Sequence, residues 1–203
     1  MADYFIGADI GQSQDYTALV ILEKIQTPSR PDYHARHIMR CPLGMPYPSI
    51  VDQIVATYGH RRIRDSHRAL IVDATGCGRP IVDLLKPCGP IAVTLHGGQS
   101  VTHKGRDWHV PKRDVVTCAQ VLLQQRRLKF AEGVPLTPVL QQELLDFRYK
   151  INPLTAHDSY AAWREGQYDD LVLALSLACW WAERGPKPAR VALIDVPPAP
   201  RWY

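Results

Sequence analysis

Three acidic sites interrupt the apolar pattern of this 203-residue sequence. Asp9 follows the run Phe5-Ile6-Gly7-Ala8, Asp73 follows Ala69-Leu70-Ile71-Val72, and Asp169-Asp170 precede Leu171-Val172-Leu173-Ala174-Leu175. A lone carboxylate is costly to bury unless it is paired or bound to a metal. Neighbouring strand ends lie about 5 Å apart, and a helix packed across that edge brings a first-turn aspartate beside them. Carboxylates converging in this way repel one another, and a divalent cation relieves the repulsion. Hard oxygen donors with few His point to Mg²⁺ or Mn²⁺ and away from zinc. Two such ions about 4 Å apart activate a water and stabilise the leaving oxygen of an in-line phosphodiester displacement. Plainer roles stand beside this one. Asp169 or Asp170 can cap a helix, an effect of ~1 kcal/mol, and Asp9 can be a turn residue ahead of Gly11.

The elements that would position these acids follow from the apolar periodicity. Tyr4–Ile10, Tyr16–Ile25 and Asp32–Arg40 read as three strands with short links, an antiparallel meander. The period then changes. Ile50, Val51, Ile54, Val55 and Tyr58 have helical spacing within a helix expected from Pro48 to about Arg64. A buried strand at 69–73, a Gly-containing turn, a helix at 80–85 and a strand at 90–95 follow. This alternation implies parallel pairing through right-handed crossovers. Residues 96–110 (HGGQSVTHKGRDWHV) read as a Gly-rich basic loop. Beyond it come a helix from Pro111 to Arg127, a short strand at 128–130, a helix at 137–148, a small strand at 160–163, a turn at Gly166 and a final apolar helix from Asp169 to about Glu183. Five prolines in the last 19 residues predict an extended or disordered tail over 185–203, leaving 1–184 as one domain.

Composition excludes several classes. Apolar residues make up 46%, charged residues 22% and aromatics 8%, which is ordinary for a soluble domain and unlike disordered or collagenous chains. No run approaches the ~18 apolar residues of a spanning helix, and Met-Ala-Asp-Tyr lacks a signal-peptide pattern, so an intracellular protein is expected. Five scattered cysteines without a CxxC pair read as free thiols. The formal charge of +4 is unevenly spread. Residues 60–129 carry 13 Lys and Arg against 5 Asp and Glu, whereas the rest carry 11 against 15. A basic middle suits a polyanion. Lys104, Arg106, Lys112 and Arg113 are candidates to neutralise phosphates, with Arg126 and Arg127 extending the track. Trp108 can either stack against a base or pin the loop from the core.

The segments GADIGQSQDYTALVIL, LIVDATGCGRPIVDLL and YDDLVLALSLACWWA, with WHVPKRDVVTCAQVLLQQRRLKF between them, resemble the nuclease half of the tailed-phage terminase large subunit over about residues 4–184. That resemblance implies an α/β, RNase H-like fold related to the RuvC-type resolvases, with a mixed central sheet of three antiparallel and then parallel strands flanked by helices. It implies a Mg²⁺- or Mn²⁺-dependent DNA endonuclease that uses two metal ions to cut concatemeric phage DNA in the bacterial cytoplasm. Asp9, Asp73 and Asp170 match its catalytic metal-ligand positions, and Asp169 and Asp15 match accompanying acids. Many relatives have His before the paired aspartates, where Tyr168 stands here. The sequence also has no GxxxxGK[ST] phosphate loop. The resemblance therefore leaves an excised nuclease domain, a separately encoded one, or a nuclease with another job; its implied partners are double-stranded DNA and a packaging ATPase, portal or small terminase subunit, with no membrane. Three rival readings are a resolvase of branched DNA, a non-catalytic DNA-binding relative, and an actin-like phosphotransferase built on GADIGQS. The last requires a duplicated domain that 203 residues cannot hold.

Overall fold

The computed structural model describes residues 3–11, 15–150 and 168–184. Strands β1 (Asp3–Asp9), β2 (Ala18–Ile25) and β3 (Asp32–Arg40) form the expected antiparallel meander. Helix α1 (Tyr47–Tyr58) leads to β4 (His67–Asp73), helix α2 (Gly78–Leu84) and β5 (Ile91–His96). Short strands β6 (Thr102–Lys104) and β7 (Asp107–Pro111) precede α3 (Lys112–Gln124), β8 (Leu128–Phe130), α4 (Thr137–Lys150) and α5 (Asp170–Arg184). All eight strands form one mixed sheet in the order β6-β7-β5-β4-β1-β2-β3-β8. Strands β1, β4, β5 and β7 run parallel, as does β8 beside β3. This is the RNase H-like arrangement that the resemblance implies.

Two sequence expectations are corrected. The basic stretch at 96–110 is not a loop throughout. Its second half folds as a β6–β7 hairpin that extends the sheet beyond β5. Gly105 makes the hairpin possible, because its φ of +60° is a left-handed conformation that costs glycine little. Helix α1 ends at Tyr58, six residues short of the expected Arg64. Gly59 closes it, and the following residues turn instead of continuing the helix. The expected strand at 160–163, the turn at Gly166 and the tail at 185–203 lie outside the described residues.

Strand alternation divides the core between the two faces of the sheet. Phe5, Ala18, Val20, Leu22, Ile71 and Val93 face α3, α4 and α5, whereas Ile6, Ala8, Leu19, Leu70 and Val72 face α1 and α2. Helix α5 is buried on nearly every side, which explains why its sequence is apolar all round. It lies so close to β1 that a Cβ on Gly7 would fall 1.9 Å from the Ala174 carbonyl oxygen. At the other end of α5, Glu183 closes the sheet edge. It accepts hydrogen bonds from the Tyr33 hydroxyl (2.6 Å) and Arg127 Nη2 (2.6 Å), while Arg127 Nε donates to the Pro31 carbonyl (2.8 Å).

Two outcomes follow. Gly7→Ala must push α5 off β1, a backbone clash expected to cost about 3 kcal/mol or more and to lower Tm by roughly 6–12 °C; an unchanged melting curve would contradict the close approach. Burial pushes the Glu183 carboxyl up, but hydrogen bonds from Arg127 and Tyr33 outweigh it and hold the pKa below its ordinary value. The stability that this carboxylate contributes is therefore present above its unfolded pKa and lost as pH falls through its folded one. Urea unfolding of Glu183→Gln should show a deficit of about 1 kcal/mol at pH 7, a modest figure because the side chain is 35% exposed, and the deficit should shrink below about pH 4.

Candidate metal centre

The acids meet because one rung of the sheet ends in them. Ala8 pairs with Val72 across parallel strands β1 and β4, so Asp9 and Asp73, one residue further on, are side by side. On the other flank Asp9 pairs with Ala18, and Ala18 with Arg40. Alternation turns Asp9 to the side of Phe5 and Asp73 to the side of Ile71, the face that α5 covers. The Gly7–Ala174 approach sets the height of α5 on that face. Ala174 is four residues from Asp170, about 6 Å of helix, and Gly7 is two residues from Asp9, about 6.6 Å of strand. The N-terminus of α5, with Asp169 and Asp170, therefore overlies the end of β1.

Negative charge accumulates there. Burial raises Asp9 well above the usual carboxylate range, and the charges of Asp73, Asp169 and Asp170 raise it further against the opposing pull of Lys112. Burial also raises Asp73, partly offset by the Thr75 N–H donating to its Oδ1 at 2.7 Å and by Lys112. Hard carboxylate oxygens crowded in this way suit a divalent cation of the Mg²⁺ or Mn²⁺ kind. Among the described residues, however, no three His, Cys, Asp or Glu side chains converge into a ready metal cage. Two of the acids hold cationic partners of the protein's own.

Asp170 is held by Arg40, which donates from Nε to Oδ2 (2.8 Å) and from Nη2 to Oδ1 (3.0 Å). Arg40 Nη2 also reaches Glu143, whose other carboxylate oxygen accepts the Leu171 and Val172 N–H groups at 3.2 and 3.3 Å. Glu143 therefore caps the first turn of α5, and one guanidinium ties β3, α4 and α5 together. The rings of Tyr16 and Tyr168, in edge contact with each other, lie 4.5 and 5.7 Å from the guanidinium carbon. Burial lifts Asp170 to about 6 against the pull of Arg40. Burial and then the Asp170 charge lift Glu143 to about 7. Asp169, by contrast, pairs with Lys112 Nζ at 3.2 Å. Asp15 stands apart, exposed in a cleft with Thr17, Pro42 and Tyr47.

Neither Arg40 nor Glu143 was singled out from the sequence. Arg40 looks like an ordinary strand end until the register sets it on the rung of Asp9. Glu143 left a signal, since it lies three residues after Leu140 and four before Phe147 and so falls on the buried stripe of α4.

The basic candidates divide between the two ends of the sheet. Lys112 and Arg113 open α3 at the acidic edge, Arg113 exposed and paired with Asp114. Lys104 and Arg106 flank the hairpin turn at the far end of β7, where Arg106 donates to the Gly89 carbonyl. Arg126 and Arg127 follow the 13-residue helix α3, about 20 Å from Lys112, and Arg127 is the buried partner of Glu183. Trp108 takes the core role. It stacks on His103 at 4.1 Å and meets Trp180 and Trp181 edge-on at 5.6 Å, with Arg184 over its ring. These residues do not line one continuous phosphate track.

No protein-family profile matches the sequence, and no curated protein does. Solved structures do match. The large terminase nuclease of thermophilic phage G20c aligns over 87% of this chain and 81% of its own, at 18% identity and a TM-score of 0.55. The human cytomegalovirus terminase nuclease domain, manganese-soaked and inhibitor-bound, aligns over 89% and 82%, at 10% identity and a TM-score of 0.53. A second structure of that domain gives 11% identity and a TM-score of 0.51. Across two viral groups and very low identity, what is shared is the architecture: this chain has the terminase nuclease-domain fold.

Proposed function

We propose that this protein is a metal-dependent DNA endonuclease that makes terminase-type cuts in concatemeric viral DNA during packaging, in the cytoplasm of an infected bacterium. The observation that carries the reading is the placement of Asp9 and Asp73, each one residue beyond the Ala8–Val72 pair, at adjacent parallel strand ends beneath the N-terminus of α5, in a chain with the terminase nuclease fold. Asp9, Asp73 and Asp169 would hold the cations. Asp169 is preferred to Asp170 because its charge acts on both Asp9 and Asp73, whereas both oxygens of Asp170 are committed to Arg40. Held there, two such ions would supply an activated water and neutralisation of charge at the leaving oxygen.

The chain's own residues do the rest. Arg40 and Glu143 set the position of the first turn of α5, and with it Asp169. Lys112 and Arg113, at the acidic edge, are the basic groups placed to meet the phosphates flanking the cut. Contacts of this kind supply affinity and salt dependence without reading sequence. Lys104, Arg106 and Arg126, at the other end of the sheet, would serve a longer stretch of duplex or a protein partner such as a packaging ATPase, portal or small terminase subunit. Asp15 is left out of the proposed ligand set, as it is exposed in a cleft with Thr17, Pro42 and Tyr47.

Plasmid nicking with Mn²⁺ tests the assignment. Asp73→Ala and Asp169→Asn should each reduce the rate by two orders of magnitude or more, because loss of even an outer-shell partner of a metal site costs about 10–100-fold. Equal cutting by wild type and Asp73→Ala would sink the reading. Arg40→Lys keeps the charge but loses the two-pronged grip, so it should lower activity by about tenfold or more with little change in Mn²⁺ specificity. Arg40→Ala strands Asp170 and Glu143 as unpaired buried carboxylates and should cost about 3–5 kcal/mol in denaturant unfolding.

A further inference from the structure

Lys112 occupies an electrostatically awkward position. It is the first residue of α3, directly after Pro111, where the helix dipole disfavours a cation. The compensation comes from across the site. Its ammonium lies 3.2 Å from Asp169 Oδ2, and both side chains are largely enclosed, at 18% and 21% exposure. Its charge also acts on Asp9 and Asp73. The other cation of the site, Arg40, holds Asp170 through two nitrogens and Glu143 as well. The two cations therefore differ in kind. A guanidinium gripping its carboxylate by a planar fork is a fixed strut, whereas an ammonium on a flexible four-carbon stem is readily exchanged.

We propose that Lys112 is an exchangeable counter-cation: its ammonium competes with a divalent cation for Asp169, and when displaced it turns to a phosphate of the bound DNA. The inference rests on the nuclease reading above and adds a step to it. Until a cation arrives, Lys112 keeps three mutually repelling carboxylates tolerable at one sheet edge. When the cation binds, that task passes to it, and the ammonium is released beside exposed Arg113 at the start of α3. Metal loading and DNA engagement are then linked through one side chain, and occupancy by a cation favours phosphate binding.

The test uses the full chain, with Mn²⁺ alone as the probe. Calorimetric titration of wild type, Lys112→Met and Lys112→Arg should show Mn²⁺ binding tightened roughly five- to tenfold in the Met variant, which removes the competitor, and near wild type in the Arg variant. Melting in EDTA should place Lys112→Met below wild type, and saturating Mn²⁺ should close the gap. A merely structural ion pair would lower Tm equally in both media and leave Mn²⁺ affinity unchanged. A contact made only to DNA would raise KM for plasmid and leave both Mn²⁺ affinity and EDTA melting unchanged. Either pattern overturns the proposal. Should Lys112→Met not fold, Lys112→Gln, which retains a hydrogen bond to Asp169, must show the same direction of change in Mn²⁺ affinity; unchanged or weaker binding overturns the exchange. If wild type itself binds no Mn²⁺ at millimolar concentration, the nuclease reading fails and the exchange fails with it. If wild type binds and both neutral variants bind identically, the exchange alone fails.

Discussion

The close packing of α5 on β1 is the constraint on which the rest of the site depends. Gly7 leaves no side chain between the strand and the Ala174 carbonyl, so the helix settles at a fixed height and register. Everything functional at its N-terminus inherits that register. Asp169 and Asp170 reach the end of β1 because Ala174 sits on Gly7, and Glu183 reaches Tyr33 and Arg127 at the opposite edge for the same reason. A helix buried on nearly all sides has few ways to slide. The strain of assembling like charges is therefore borne by a rigid element.

Given that frame, the site is an exercise in charge compensation. Five carboxylates, Asp9, Asp73, Asp169, Asp170 and Glu143, gather around one rung of the sheet, and two internal cations offset them unequally. Arg40 satisfies its two partners through a fork sealed by Tyr16 and Tyr168, whereas Lys112 meets Asp169 through its ammonium. The ring of Tyr168 helps to enclose Arg40. Asp170 and Glu143 thus share the Arg40 fork, whereas the charge of Lys112 acts on Asp9, Asp73 and Asp169.

Much of this was readable in the sequence. The meander, the parallel strands with crossover helices and the final apolar helix follow from periodicity. Asp9, Asp73 and the aspartate pair were visible because they break apolar runs. The β6–β7 hairpin was missed because its polar, Gly-rich composition reads as loop, and only the edge of β5 gives it hydrogen-bond partners. Arg127 reads as one more basic residue beside Arg126, yet its neighbours in space, Glu183 and Pro31, lie 56 and 96 positions away.

Apart from the β6–β7 hairpin, the element types, the order of the acids and the hardness of their donors are legible in the sequence alone, because these depend on local periodicity and residue chemistry. Tertiary structure alone decided which carboxylate faces which. Asp169 and Asp170 are adjacent in the chain and equivalent in composition, but the turn of α5 sends one toward Lys112 and the other toward Arg40, 130 residues distant. It also decided that the basic residues divide between two edges of the sheet, because α3 carries the chain about 20 Å away between Lys112 and Arg126. Charge along a sequence is a sum, whereas a site is set by where each charge is held.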